Sequence, residues 1–310
     1  MTEHETIRRH RRGISDSALG LLLMLPALLV LIVVVAFPII KAIYASFCNY
    51  GLTELRKDMF EMTWNHFGNY KALLENNEIF TYFGNTVVFV LFVVAIQFVF
   101  GMGIALILNS KIRARGPIRG LMLIPWTIPS VVTAIVWRFM TNSSYGVLNY
   151  FLYKLGIIDS IDFSWTLQSG TAMALIVIAA VWRQLPYMMV MILAGLQSVD
   201  KSLLEAATMD GATKFQTLMH ITIPSIRPVL VTSIWIAVMA NFQMYTIIAN
   251  ITNGGPLTAT TTLSIAAYKA AFQSYDFGIG AAIGVIWLIF LFIITLFSNK
   301  LSEKYSRDLG

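Results

Sequence analysis

Six stretches of this chain are continuously apolar: residues 18–40, 86–108, 121–137, 171–199, 229–251 and 277–297. Five of them contain no Asp, Glu, Lys or Arg, and 171–199 contains Arg183 alone. A helix needs about 20 apolar residues to cross the hydrocarbon core of a bilayer, so each run is long enough, or nearly so, to span. The pattern predicts an all-α, polytopic membrane fold with six transmembrane helices. Pro26, Pro38, Pro125, Pro129, Pro186, Gly101 and Gly103 fall inside the runs. Neighbouring helices re-satisfy a freed backbone group in a membrane, so kinked helices are expected there. Gly280 and Gly284 have the GxxxG spacing that lets two helices approach, although such pairs also arise by chance in glycine-rich spans.

One polar stretch between spans has its own periodicity. Residues 205–224 read EAATMDGATKFQTLMHITIP. Asp200 is a candidate N-cap, Leu203, Leu204 and Ala207 share one helical face, and Gly211 suits a left-handed turn after the helix. Phe215, Leu218 and Met219 then repeat at i, i+3 and i+4, and Pro224 closes the stretch before the next span. Two short amphipathic helices are expected, and an ordinary interfacial loop has the same general look. The chain divides into an N-terminal segment 1–17, a first span 18–44, an outer loop 45–83, a core 84–300 containing the polar loop 198–224, and a tail 301–310.

Composition supports the membrane assignment. Of 310 residues 57% are hydrophobic and 12% charged, too few charges to cover a soluble surface. The net charge of +6 sits in short clusters flanking apolar runs, which argues against a nucleic-acid-binding face. One alternating set of segments holds Arg8, Arg9, Arg11, Arg12, Lys111, Arg113, Arg115, Arg119, Lys201, Lys214, Arg227, Lys300, Lys304 and Arg307; the other holds Arg56, Lys57, Lys71, Lys154 and Lys269. By the positive-inside rule both termini and the 198–224 loop face the cytoplasm. The first apolar run is too long for a signal peptide, and no small-x-small site follows it, so it reads as an anchor. Cys48 is the single cysteine, which rules out an intrachain disulfide and offers no metal cluster.

The residues Glu205, Ala206, Ala207, then Gly211, then Ile221, Ile223 and Pro224 resemble the EAA loop of the membrane subunits of bacterial ABC importers, EAA-x3-G-x9-I-x-L-P, with Ile223 in place of Leu. HFGNY at 66–70, YGVLNYFLYKLG at 145–156, VWRQLPYM at 181–188 and TNGGP at 252–256 resemble elements of carbohydrate importers, so the likeness covers nearly the whole chain. It is identified as the first of two permease subunits of the maltose and glycerol-phosphate type, in the bacterial cytoplasmic (inner) membrane. The resemblance implies that the first helix of the loop couples to a cytoplasmic ATPase, with Glu205, Ala206, Ala207, Asp210, Gly211, Ile221 and Pro224 carrying the contact. It also implies a second permease subunit, two ATPase subunits holding ATP and Mg, and an extracytoplasmic solute-binding protein. This chain would bind no cofactor or metal itself.

Polar groups within spans tend to face a cavity or a partner. Arg183, Gln184 and Tyr187 lie at i, i+1 and i+4, and Asn241, Gln243 and Met244 lie together in the fifth run. The family likeness implies that Gln184, Tyr187 and Asn241 stand at positions that contact sugar, with Met244 at a further contact position. Helix-packing hydrogen bonds are the competing role for Tyr187 and Asn241. Arg183 is open between a structural anchor and recognition of an anionic sugar. Trp137 with Arg138 reads as an outer-interface anchor, and Trp182, Phe242 and Tyr245 read as packing more readily than as sugar platforms.

Other function classes fare worse. Ion-coupled secondary transport of a polar solute usually leaves acids inside spans, and none of the six runs contains Asp or Glu. An intramembrane enzyme needs a nucleophile with a base, or metal ligands, but His4, His10, His66 and His220 lie outside the runs. The chain has no GxxxxGK[ST] phosphate loop, so ATP hydrolysis would belong to a separate subunit.

Overall fold

The computed structural model describes residues 16–52, 62–110 and 113–307, which are mostly helical. Arg8, Arg9, Arg11, Arg12, Arg56, Lys57 and Lys111, which weigh in the orientation argument, lie outside them. Among the described residues, Leu19–Ser46, Glu78–Asn109, Ser169–Gln197 and Phe277–Leu296 are unbroken helices long and apolar enough to cross a membrane. Two more candidate spans are bent pairs: Arg115–Thr127 with Ser130–Met140 at 94°, and Lys214–Ser225 with Arg227–Phe242 at 70°.

The bends have local causes. Pro129 holds Ile128 in extended backbone (φ −73°, ψ 130°), because the proline ring disfavours the helical region for the residue before it. The run 121–137 is therefore two helices meeting near a right angle. At the second bend Pro228 has no N–H to give the Pro224 carbonyl, and the chain turns at Ile226 (φ −95°, ψ 4°). Pro224 was expected to close the polar stretch, but it sits inside the turn Ile223–Ser225 and the break falls two residues later. The run 229–251 departs from expectation as well. Its helix stops at Phe242 and resumes as Thr246–Ile251. Between them the Met244 N–H bonds to the Asn241 carbonyl at 3.1 Å, and the Met244 carbonyl accepts the Ser264 hydroxyl at 2.9 Å, so a tertiary partner replaces the helical ladder. Pro186, by contrast, is carried within an unbroken helix.

Ser169–Gln197 is the centre of the bundle. It packs along Glu78–Asn109 and against both bent pairs, burying Ile176, Met188, Met189 and Ile192 completely or nearly so. Gly101 makes the closest of these approaches: a Cβ there would lie 2.9 Å from Met188 Cγ and 3.3 Å from the Met189 backbone nitrogen. Of the GxxxG pair, Gly280 lies against Ala271 and the Ala267 carbonyl, whereas Gly284 has open space beside it. Leu19–Ser46 is different in kind. It passes through a π turn at Ile32–Ala36, packs through Phe37–Ser46 against the last helix, and leaves its N-terminal two thirds exposed.

Two of the loops between spans are tied down by buried asparagines. Asn69 Nδ2 donates to the Ser46 and Cys48 carbonyls at 2.9 Å each, clamping the end of the first helix and a two-stranded antiparallel sheet, Cys48–Asn49 with Thr63–Trp64, to the helix Gly68–Glu75. Asn149 Nδ2 donates to the Ile161 and Phe163 carbonyls at 3.2 and 2.8 Å while Oδ1 accepts the Trp165 indole N–H at 2.8 Å. The HFGNY and YGVLNYFLYKLG elements are thus structural clamps. The last helix runs to Arg307, past the residue 300 boundary drawn from polarity.

Candidate functional site

The polar loop forms a compact lever. Asp200 caps Lys201–Met209 as expected, its Oδ1 accepting the Ser202 backbone N–H at 2.9 Å. Hydrogen bonding from the Ser202 backbone and hydroxyl holds the Asp200 carboxyl below its usual range. The helix ends at Gly211, whose φ of +75° is the left-handed turn glycine was expected to make. A Cβ there would meet nothing within 4 Å, so the requirement for glycine is conformational rather than steric. Beyond it, Thr213 and Gln216 form a reciprocal capping box that starts the next short helix. The T-x-x-Q spacing at 213–216 is the signal in the sequence that announces this box.

Exposure sorts the EAA residues. Glu205 and Ala206 face outward, but Ala207 is buried against its own chain, which removes it from the face expected to seat in a partner. In its place Leu203, Met209 (89% exposed) and Phe215 present apolar side chains. A recess of about 370 Å³ opens behind the turn, lined by Asp210, Gly211, Gln216, His220 and Ile221 among others. Pro224 is exposed and Ile221 half-buried. The loop therefore combines a rigid short helix, an outward acid and a small apolar surface.

The in-span polar residues divide by partner. Gln184 Nε2 donates to Asn241 Oδ1 at 2.9 Å, Asn241 Nδ2 returns a bond to Gln184 Oε1 at 3.3 Å, and Asn241 Nδ2 also reaches the Ala237 carbonyl at 2.8 Å. This reciprocal amide pair joins the fourth and fifth spans and is buried, Asn241 at 1% exposure. Burial of Asn241 therefore needs no solute to account for it. Gln243 and Met244 do not share its surroundings, because the helix break at Gln243 leaves Gln243 exposed and Met244 half-buried. Arg183 Nε donates to the Ile128 carbonyl at 3.2 Å, latching the fourth span to the broken end of the third. Tyr187 has its ring 6.1 Å from that of Trp126.

Several buried polar atoms have no hydrogen-bond partner within the described chain: both amide atoms of Gln97, the Thr133 and Tyr187 hydroxyls, and the Trp287 indole N–H. Gln97 was missed in the sequence although it is the single amide in its apolar run, which is the signal that would have found it. Phe242 packs on Phe290 at 5.3 Å between ring centroids and Trp182 on Trp137 at 6.3 Å, as the packing reading expected.

Residues 97–307 match the family described as binding-protein-dependent transport system inner membrane component. Over 296 residues the chain is 32% identical to the trehalose/maltose transport system permease protein MalF of Thermococcus litoralis, covering 94% of this chain and 96% of that protein. It is 32% identical over 298 residues to the sn-glycerol-3-phosphate transport system permease protein UgpA of Agrobacterium fabrum, covering 93% and 96%. In fold it is similar to a chain of the bacterial alginate ABC transporter solved in complex with an alginate pentasaccharide-bound periplasmic protein, with a TM-score of 0.78, 20% identity, and coverage of 94% and 96%.

Proposed function

We propose, from the premise that this chain belongs to the family of binding-protein-dependent transport system inner membrane components, that its cargo is a sugar or a sugar-derived solute. The chain is a multi-pass permease subunit of an ABC importer. The cargo assignment rests on its relatives, whose names include trehalose/maltose and sn-glycerol-3-phosphate permeases. A soluble binding protein delivers the solute to the outer face of this chain and a second, different permease subunit. Two cytoplasmic ATPase subunits bind and hydrolyse ATP with Mg. Both termini of this chain are cytoplasmic.

The observation that carries the coupling is the turn at Gly211 behind the capped helix Lys201–Met209. A lever must transmit a displacement without bending, and this one is fixed at its start by Asp200 and at its end by a left-handed turn. Glu205, Ala206, Leu203 and Met209 meet the ATPase, while Asp210, Gly211 and Ile221 border the recess that receives one of its side chains. ATP can drive transport only by binding one state of the assembly better than another, and this contact conveys that difference. Tyr187, with its buried unpartnered hydroxyl, is the strongest solute contact of those named, followed by Met244. Gln184, Asn241 and Arg183 act first as ties between spans.

The test is uptake by proteoliposomes holding the full complex, with the binding protein outside and ATP inside. Uptake should require both. Uptake that persists without ATP and follows an imposed proton or sodium gradient would establish the secondary-transport alternative, to which the similarities give no support.

A further inference from the structure

Gln97 lies in the helix Glu78–Asn109 at 0% exposure, and neither atom of its amide has a hydrogen-bond partner within the described chain. A buried amide left in this way is costly, and the surrounding side chains shut out the lipid and bulk water that could relieve it.

Its place in the bundle gives it a neighbour. Gly101 of the same helix meets Met188. Gln97 stands four residues before Gly101, and Gln184 four residues before Met188, so each shares a face with the contact residue of its own helix about one turn away. One span separates the two helices, so they run in the same direction, and they pack along their length. The Gln97 and Gln184 amides therefore lie in one layer of the bundle, on the sides their helices turn toward each other, at the level of Asn241.

The bonds of the amide pair allow an exchange. Gln184 Nε2 donates to Asn241 Oδ1 at 2.9 Å, and the returning bond from Asn241 Nδ2 is longer, 3.3 Å. Asn241 Nδ2 also holds the Ala237 carbonyl of its own helix at 2.8 Å. When Gln184 turns to Gln97, two bonds break, two form, and Asn241 Nδ2 stays satisfied. Only Asn241 Oδ1 is left open, an acceptor for a hydroxyl. Pro186, two residues further on, has no N–H to give the Trp182 carbonyl, so the helix lacks a backbone bond beside Gln184.

We propose that Gln97 is a positioning residue of transport: it takes over the Gln184 amide when the bundle opens, and so frees Asn241 Oδ1 for a solute hydroxyl. This rests on the reading that the cargo is a sugar or a sugar-derived solute. Gln97 itself touches no solute. It is sealed between two helices in one state and engaged by Gln184 in the other.

Gln97→Met keeps the length and nearly the volume of the side chain while removing donor and acceptor together. The experiment measures its denaturation midpoint in the assembled transporter, and ATP-driven uptake per complex in proteoliposomes with a panel of radiolabelled mono- and disaccharides and sugar phosphates. Removing an amide that has no partner should leave the midpoint unchanged or raise it. Maximal uptake should nevertheless fall about tenfold, with the half-saturating concentration of binding protein unchanged. In an Asn241→Leu background Gln184 has Gln97 to turn to, so there Gln97→Met should lower the midpoint. That reversal of sign is what an amide with a purely structural role does not show. A midpoint lowered in the wild-type background would mean that Gln97 is already held, by packing or by a trapped water, and would overturn the proposal. Wild-type uptake by Gln97→Met, or absence of the reversal, would overturn it too. A wild-type complex that takes up none of the panel with ATP would remove the cargo reading instead, and the reversal, which needs no transport, would still decide whether Gln184 exchanges between Asn241 and Gln97.

Discussion

Helix Leu19–Ser46 is the most apolar of the four unbroken spans, and none of its most apolar 18-residue stretch is buried; helix Ser169–Gln197 is the least apolar, and 61% of the corresponding stretch is buried. The order is the reverse of what a soluble protein would show. In water, apolarity marks the inside. In a bilayer, lipid is as apolar as leucine, so a side chain gains little by leaving it, and close packing and hydrogen bonds decide what goes inward. Ser169–Gln197 accordingly carries the amide of Gln184, the guanidinium of Arg183 and the hydroxyl of Tyr187, and it receives Gly101 at van der Waals contact. Leu19–Ser46 offers an even coat of Leu, Val and Ile.

The comparison breaks first under truncation. Ile192→Ala removes a fully buried side chain from the bundle centre and should cost about 2–5 kcal/mol of stability. Leu29→Ala, at a position 53% exposed, should stay within about 0.5 kcal/mol. Denaturant titration of the purified chain and of the assembled transporter measures both. Equal losses in the assembly would mean that a partner chain covers the first helix there and that the contrast belongs to the isolated chain.

A charge probes the same contrast from the other side. Val30→Asp, midway along the first helix at a position 61% exposed, should lower membrane insertion by about 2.5–3.5 kcal/mol. The fraction of chain resisting alkaline extraction reports it. An unaffected fraction would mean that the segment does not face hydrocarbon at that depth.

Much of this contrast could be read from residue order, because charge-free length is a direct consequence of bilayer thickness. The caps were legible too: Asp200 and Gly211 act within a few residues of themselves, so local chemistry suffices to place them. What could not be read depends on partners far along the chain. The stop at Gln243 follows from Ser264 taking the Met244 carbonyl, and the burial of Ala207 follows from packing that the EAA spelling does not encode. Likewise Asn241 and Gln184 were both visible as in-span amides, but 57 residues separate them and only the folded bundle shows that each satisfies the other. The 94° bend lay between these extremes: Pro129 forecasts a kink, while its angle comes from what packs around it.

Close approach gives the next test. Gly101→Val places atoms against Met188 and the Met189 backbone, and overpacking of this kind costs about 1–3 kcal/mol. Gly20→Val in the first helix meets nothing within 4 Å and should be neutral or slightly stabilising for insertion. Denaturant titration again separates them. A neutral Gly101→Val would show that the two helices slide apart readily at that contact.

The double change of the buried amide pair is expected to have the smallest net effect of these contrasts, and it says most about the site. Asn241→Leu strips Gln184 of both bonds it makes to that side chain, and a buried amide left unpaired costs about 1–3 kcal/mol. Gln184→Leu leaves Asn241 its bond to the Ala237 carbonyl and should cost less. Changing both together removes donors and acceptors in pairs and exchanges them for apolar groups of similar size, so the double variant should return to within about 1 kcal/mol of the wild type. That recovery is the signature of an amide pair that exists to join two spans. If stability falls by the sum of the single losses instead, each amide is held by something other than its partner. Transport per assembled complex then settles the second role: a stable double variant that transports normally places the solute path elsewhere, and a stable one that has lost transport shows that the same two amides, released from each other when the bundle opens, also hold the solute.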